Sequence, residues 1–336
     1  MVSIKNIAEE CGVSIATVSK ALNNHSDVSK ATKQLVCDTA KRMGYMPNAQ
    51  ARSLKTNRTY NIGVLLDDKA ESGLTHSYFS SVLESFRTEA KELGYDITFI
   101  CGQIGNNVMS YYEHCMYRRV DGVLVACVDF YDKEVIELID SDIPTVSIDY
   151  ISDNNYSVSS DNISGIRQIV EYAYKCGHKK IAFIYGESSQ VTTTRLNSYL
   201  DTMKRLGLQV EPDYLKQARY LDAVGVEMIT AEMLKLYDPP TCIILPDDFS
   251  SVGAMNAIDE AGLKIPDNIS IVGYDGIKMT QMMKPCLTTI RQNTSEIGRR
   301  AAQLLVKLIR KEEVSAENRQ LIISGMLIEG GTVCKI

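Results

Sequence analysis

Tryptophan is absent from the 336 residues, and Phe and Tyr together supply only 24 aromatic side chains. Any flat ligand face must therefore be met by Tyr or Phe. The nine cysteines (11, 37, 101, 115, 127, 176, 242, 286 and 334) are odd in number and form no C-x-x-C pair. That excludes a disulfide framework in favour of small, mostly buried hydrophobes in a reducing compartment. The four His residues (25, 76, 114 and 178) lack metal-ligand spacing. The longest apolar runs are of strand length, well short of the ~18 residues that suggest a membrane span. The opening Met1-Val-Ser-Ile-Lys5 has no apolar signal core. These absences predict a cytoplasmic chain with no membrane association. No G-x-G-x-x-G, P-loop, G-x-S-x-G or HExxH motif appears, and nothing couples a nucleophile to a base. Neither an enzyme nor a cofactor is expected.

Charge is unevenly distributed. The whole chain carries a formal −6, which by itself argues against nucleic acid. Residues 1–60, however, hold nine Lys/Arg against four Asp/Glu, a net +5, and the rest nets −11. A basic module on an acidic body is indicated.

The basic segment reads as helices. Ile4, Ile7, Ala8 and Cys11 form one apolar stripe, capped by Ser3 and stopped by Gly12. Ser14 caps a second helix to about Leu22, with Val18, Ala21 and Leu22 inward. Ser29 caps a third, with Leu35, Val36, Ala40 and Met43 on its buried side. Two short helices joined by a three-residue turn containing Gly outline a helix-turn-helix. A helical hairpin of any protein can share that outline. Here the second helix opens Ser14-Ile-Ala-Thr17 with a small, partly apolar outer face that can enter a major groove. Asn48 can then cap a helix ending near Lys55, too short to be stable alone. Arg52, Lys55 and Arg58 can meet phosphates. Leu54 is either an incidental linker residue or a wedge that enters a minor groove.

From Tyr60 onward, short apolar runs alternate with amphipathic helices. Strands are expected at 62–66, 97–100, 123–126, 145–148, 181–184, 242–245 and 269–273. Helices are expected at about 78–93, 108–118, 132–140, 162–176, 190–206, 223–236, 248–261 and 293–311. This order predicts βαβ units in two doubly wound parallel sheets, one per lobe, with ligands beyond the carboxyl ends of the strands.

Ser3-Ile-Lys-Asn-Ile-Ala-Glu-Glu-Cys-Gly-Val-Ser-Ile-Ala-Thr-Val-Ser-Lys-Ala-Leu-Asn23, Gly44-Tyr-Met-Pro-Asn48 and Ala51-Arg-Ser-Leu54 resemble the DNA-binding and hinge region of the LacI/GalR family of bacterial transcription regulators. Val158–Gly165, Gly177–Ile184, Pro246–Gly253, Ile265–Asp275 and Leu287–Gln292 are similar to that family's effector-binding core. The resemblance implies an α/β chain in three parts: a helix-turn-helix domain at 1–46, a hinge helix and linker at 47–59, and a two-lobed, periplasmic-binding-protein-like domain at 60–336. The N-lobe would take about 60–160 plus 292–321 and the C-lobe about 161–291 plus 322–336, with crossings near 158–161, 289–292 and 321–324.

It also implies site residues. Ile15, Ala16 and Lys20 take base-reading positions, with Ser14, Thr17 and Ser19 near phosphates. Asn48, Arg52, Leu54 and Lys55 belong to the hinge contacts, and Leu54 is the wedge. Lysine at position 20 cannot make the rigid fork to guanine that arginine makes. Effector contacts are assigned to Tyr78, Phe79, Asp161, Arg195, Tyr220, Asp247, Asp248 and Asp275. Asp161 can equally cap the helix beginning at Asn162, and Asp248 can cap at Phe249. The fifteen residues between Gly63 and Phe79 exceed the family's usual spacing and predict an extra loop at the cleft mouth. The expected function is effector-controlled repression by a homodimer on a palindromic double-stranded operator. A carbohydrate is the first effector class and a purine the second. The alternative is a small-molecule binding protein whose N-terminal helices contact protein.

Overall fold

The computed structural model describes residues 2–46, 58–67 and 73–336. The expected hinge contacts Asn48, Arg52, Leu54 and Lys55 lie outside the described residues, as do residues 68–72 of the predicted extra loop. The chain divides into two units, Met1–Thr59 and Tyr60–Ile336.

The first unit holds α1 (Ile4–Cys11), α2 (Ile15–Leu22) and α3 (Lys30–Arg42). Each begins at a serine whose hydroxyl accepts a backbone N–H inside the first turn: Ser3 from Asn6, Ser14 from Thr17 and Ser29 from Thr32. Gly12, at φ +64°, ends α1 in the left-handed region that glycine enters without strain. Ile7 and Ala8, Val18 and Ala21, and Val36 and Ala40 close one small core. An Arg42–Glu10 ion pair at 2.9 Å ties α3 back to α1. Leu35, expected inward, is half exposed. The inward stripe of α3 is Val36, Thr39, Ala40 and Met43, and the neighbouring position is rotated about 100° away from it.

The second unit alternates strands and helices. Its first half contains β1 (Asn61–Leu66), α4 (Ser77–Glu92), β2 (Asp96–Ile100) and a small hairpin of β3 (Gln103–Ile104) and β4 (Asn107–Val108). Then follow α5 (Tyr111–Arg118), β5 (Gly122–Ala126), α6 (Lys133–Ile139), β6 (Thr145–Ile148) and β7 (Ser157–Ser160). The second half contains α7 (Asn162–Lys175), β8 (Ile181–Tyr185), α8 (Gln190–Arg205), β9 (Leu215–Gln217), α9 (Ala223–Leu234), β10 (Cys242–Ile244), α10 (Ser251–Glu260), β11 (Ser270–Asp275), α11 (Lys278–Met282) and β12 (Thr288–Arg291). The chain ends with α12 (Thr294–Ile309), β13 (Gln320–Ile323) and β14 (Met326–Ile328).

Two six-stranded sheets result, ordered β13-β7-β6-β5-β1-β2 and β14-β12-β11-β10-β8-β9. All pairs within them are parallel except β12 with β14. Both faces of each sheet are covered, which is why the strands read as continuous apolar runs. In the first lobe, Ile62, Val64, Leu124 and Val146 pack against α4 and α12. Leu65, Val123 and Val125 face α5 and α6. In the second lobe, Phe183, Ile244 and Val272 face α7 and α8, and Ala182, Ile243 and Ile271 face α9 and α10. α12 follows a second-lobe strand yet packs in the first lobe, where a Cβ at Gly298 would lie 2.2 Å from the Val82 carbonyl oxygen.

The chain crosses between lobes at 161, at 292–293 and at 324–325. The expected N-lobe limit at 321 therefore moves: β13 pairs in parallel with β7 through Ile323 opposite Ser160, so the whole strand belongs to the first lobe. All nine cysteines are free. Only Cys115, Cys176 and Cys242 are buried, and Cys101 is exposed, against the expectation of general burial. Among the described residues no helix is long and apolar enough to cross a membrane, and no three His, Cys, Asp or Glu side chains converge as metal ligands would.

Candidate functional site

Two surfaces collect the chemistry-bearing residues, one in each unit. In the first, α2 turns Val18 and Ala21 inward, which leaves Ile15, Ala16 and Lys20 exposed along its outer side. Ser14 fixes the start of this face: its Oγ accepts from the Thr17 N–H at 3.0 Å and lies 2.8 Å from the Thr17 hydroxyl. Ile15 is 53% exposed in a module with few apolar residues to spare. An outward methyl-bearing side chain at a helix N-terminus, flanked by small hydroxyl residues, suits thymine methyls and phosphates in a major groove. Ser19 and Thr17 lie half-buried at its margins. Lys20 is held by a salt bridge to Asp27, whose carboxyl is kept below its ordinary pKa by that hydrogen bond.

The second surface is a cavity of about 210 Å³ between the lobes. Segments at strand ends supply its carboxyls Asp149, Asp247 and Asp275, as the doubly wound rule leads one to expect, and helices supply Tyr78 and Arg195. Of the expected effector residues, it brings together Tyr78, Phe79, Arg195, Tyr220, Asp247 and Asp275. Arg195, on α8, is 6% exposed. Its Nε donates to Asn162 Oδ1 at 2.8 Å, one terminal nitrogen donates to the Pro246 carbonyl at 3.2 Å, and its guanidinium lies 3.6 Å from the Tyr274 ring centroid. Asp275 ends β11 at φ +110° and accepts from Gln292 Nε2 at 2.7 Å. Burial drives its carboxyl well above the usual range, opposed by Arg195. Asp247 accepts three hydrogen bonds from its own lobe: from the Leu221 N–H at 2.9 Å, and from the Ser250 N–H and hydroxyl at 2.8 Å each. The Tyr220 ring sits so close to Gly186 that a Cβ there would meet it at 2.3 Å, so glycine at 186 is what admits the ring to the wall.

Asp161 and Asp248 do not line the cavity. Asp161 is the N-cap of α7, accepting from the Ser164 N–H at 2.9 Å. Asp248 is completely buried and accepts from Thr289 Oγ1 at 2.6 Å, the Ile277 N–H at 2.9 Å and Thr280 Oγ1 at 3.0 Å, tying the end of β10 to α11 and β12. Burial raises its carboxyl pKa to about 7 despite those donors.

Several lining residues escaped the sequence reading. Asp149 follows β6 at φ +58° and accepts from the Tyr78 hydroxyl at 2.5 Å and the Ser160 N–H at 2.8 Å. Burial raises its carboxyl as well. It stands directly after a predicted strand, the position the strand-end rule marks. Phe130 and Tyr150 stack in parallel at 4.2 Å, each a few residues beyond a strand end. Gln190, the first residue of α8, reaches across to the other lobe: its Oε1 accepts from the Ile151 N–H at 2.7 Å and its Nε2 donates to the Ile151 carbonyl at 2.8 Å. No local pattern marks such a contact.

Comparison with known proteins gives a consistent outcome. Residues 3–48 match the family described as bacterial regulatory proteins, lacI family, and residues 170–333 match the periplasmic binding protein-like domain. The chain is 33% identical over 316 residues to the HTH-type transcriptional repressor PurR of Histophilus somni (strain 129Pt), covering 92% of each chain. It is 31% identical over 329 residues to the protein of the same name from Pasteurella multocida (strain Pm70), covering 96% of this chain and 95% of that one. The fold is similar to that of the Lac repressor dimer bound to operator and the anti-inducer ONPF, with a TM-score of 0.84 at 25% identity and 99% of both chains covered.

Proposed function

This chain belongs to the LacI family of bacterial regulatory proteins, and from that premise we propose that it is a DNA-binding transcriptional repressor that works as a homodimer on a palindromic operator and takes a planar heterocycle as its effector. Family membership sets aside the reading of its N-terminal helices as a protein-contact module, and its relatives are named as repressors rather than enzymes. The observation that carries the DNA reading is the outward Ser14–Lys20 face on a helix whose inner face is packed and whose start is capped. Ser14, Thr17 and Ser19 are assigned to phosphates, and Ile15, Ala16 and Lys20 to base edges. Lys20 would exchange Asp27 for a base acceptor on binding. In the hinge, Asn48, Arg52 and Lys55 are assigned to the backbone of DNA and Leu54 to a minor-groove step.

One recognition helix reads only a short half-site, so a two-fold pair is needed for a long one. The second unit leaves Val224 and Met228 of α9, Phe249 before α10, and Met279 and Met282 of α11 exposed. Such apolar side chains on successive elements suit burial against a second copy. Effector in the cleft alters the angle between the lobes, and the hinges of the pair carry that change to the DNA.

The planar reading rests on the free polar capacity of the cavity. Asp247 accepts three protein donors and Arg195 spends two of its five N–H groups on Asn162 and Pro246, while much of the wall is aromatic: Tyr78, Phe79, Phe130, Tyr150 and Tyr220. A polyol needs partners around its whole rim. A heterocycle needs ring faces and a few edge contacts. Carbohydrate is the second reading, favoured by the several carboxyls in the lining. The test is a binding selection of the full chain on random duplexes, followed by gel shifts of the enriched site with nucleobases and sugars added. Failure to enrich a palindrome, or binding insensitive to salt, would sink the operator reading. A shift caused by sugars alone would overturn the heterocycle.

A further inference from the structure

The cavity wall is rich in carboxyls. Asp129, Asp149, Glu187, Asp247 and Asp275 all line it, and among the described residues Arg195 is the one lining guanidinium. Four of these carboxyls accept hydrogen bonds from neutral groups: Asp149 from the Tyr78 hydroxyl and Ser160 N–H, Glu187 from the Tyr220 N–H, Asp247 from Leu221 and Ser250, and Asp275 from the Gln292 amide. Arg195 donates to an amide oxygen and a backbone carbonyl rather than to any of these carboxyls.

Gln292 adds an independent observation. It lies on the crossing between lobes, is 4% exposed and lines the cavity. Donation from its Nε2 to Asp275 orients the amide so that Oε1 is the remaining polar atom. That oxygen is buried and has no hydrogen-bond partner. Leaving a buried acceptor unpaired forfeits its hydration without a replacement, so it marks where a donor belongs.

We propose that the effector carries an amino group and seats it against Gln292 Oε1 among the recessed carboxyls. This rests on the reading of the cavity as the effector site and specifies the ligand. An amino group brings two or three donors and no competing acceptor, the complement of this wall. A protonated amine also adds a second positive charge beside Arg195 among these carboxyls. A carbonyl oxygen in the same place faces Gln292 Oε1 and carboxylates with acceptor against acceptor. A single hydroxyl satisfies one acceptor and leaves the others.

The experiment is calorimetric titration of the full chain with pairs that exchange an amino group for an oxo or hydroxyl group: adenine and hypoxanthine, cytosine and uracil (in both of which the adjacent ring nitrogen also turns from acceptor to donor), and glucosamine and glucose, which differ in that group alone. The first two pairs carry the amine on a planar ring and the third on a sugar, so the panel also tells the two scaffolds apart. The amino member of the pair whose scaffold binds is expected to be at least about tenfold tighter, roughly the worth of one charge-assisted hydrogen bond. In Gln292→Leu that preference should fall toward unity. Gln292→Asn, which keeps the amide but withdraws its oxygen by one methylene, should reduce it by less. An oxo or hydroxyl member that binds equally or more tightly overturns the amino proposal and leaves the cavity as the effector site. No binding by any of the six overturns this proposal together with the scaffold reading beneath it. A preference unchanged in both variants overturns the role of Gln292.

Discussion

Removing the Gln190 side chain should loosen the closure of the two lobes. Gln190 is positioned by the capped start of α8, where Ser189 Oγ accepts from the Thr192 N–H at 3.1 Å. Its target is equally fixed: Asn155 Oδ1 accepts from the Ser152 N–H at 2.8 Å, and Asn155 Nδ2 donates to Ser147 Oγ and the Tyr150 carbonyl at 2.7 and 2.9 Å. That turn presents both polar backbone groups of Ile151 to one amide. Two neutral hydrogen bonds are worth about 0.5–1.5 kcal/mol each, so Gln190→Ala should shift closure by about 1–3 kcal/mol, or roughly 5- to 150-fold. If ligand binds the closed lobes, apparent affinity falls in proportion to the closed fraction lost. Gln190→Glu keeps the acceptor but faces the Ile151 carbonyl with a carboxylate, so it should lie near the alanine variant rather than near wild type. The assay is small-angle scattering of the ligand-free chain together with effector titration. A larger radius of gyration and weaker binding are expected. Weaker binding with an unchanged scattering profile would show that Gln190 merely touches the ligand. No change in either would refute the clasp.

Further predictions follow from contacts away from the cavity wall. In Gly253→Ala the new Cβ would stand 1.8 Å from the Ala223 carbonyl oxygen and 3.0 Å from the Glu227 nitrogen, both backbone atoms of α9. α9 and α10 must part, and urea unfolding should show a loss of about 1–3 kcal/mol; an unchanged midpoint would contradict that close approach. Asp248 has a folded pKa of about 7, above its ordinary 3.8. The folded chain thus keeps a proton that the unfolded chain loses, so this group's contribution to stability is greatest below pH 4 and declines as pH rises toward 7. Asp248→Asn should flatten that decline, and melting curves between pH 4 and 8 that keep the wild-type slope would exclude Asp248 as its source. Leu54→Ala should weaken operator binding and leave effector titration unchanged; equal operator affinity would remove the wedge role.

Much of the fold was legible because two physical signals dominate it. Serine caps open the first three helices, and glycines at 12 and 44 close the first and third within a residue or two, since these residues satisfy or release the backbone at helix ends. Strands such as Gly122–Ala126 are buried on both faces, so their apolar runs needed no help from alternation. The elements missed were short or non-local. β9 and β14 are three residues each, α11 is five, and β13 exists because β7 offers it a parallel edge. Leu35 failed for a related reason: its hydrophobicity is plain, but the side it occupies depends on which neighbours the other two helices supply.

The aspartates show why the cavity was less legible than the fold that frames it. Asp149, Asp161, Asp247, Asp248 and Asp275 all stand near the carboxyl ends of strands, where the architecture concentrates ligands. Sequence cannot rank them, because a carboxylate at that place has two competing uses. Asp161 is followed by a helix whose first amides point back at it, so the cap claims it. Asp248 meets hydroxyls from 280 and 289, residues 32 and 41 positions away, which fold into reach only when β12 pairs with β11. Asp275 is held toward the cavity by Gln292 across that same strand pair, and the Tyr78 hydroxyl holds Asp149. Asp149 and Asp275 thus line the cleft with partners from the wall and the crossing segment, Asp161 and Asp248 are structural with partners from a following helix or from beneath the sheet end, and Asp247 lines the cleft although Ser250, at the start of its own following helix, donates to it. The deciding partner in three of these cases is a Tyr, Thr or Gln remote in sequence. Assigning an effector contact in a chain of this family by matching the aspartate alone is accordingly weaker than matching the aspartate together with the residue that donates to it.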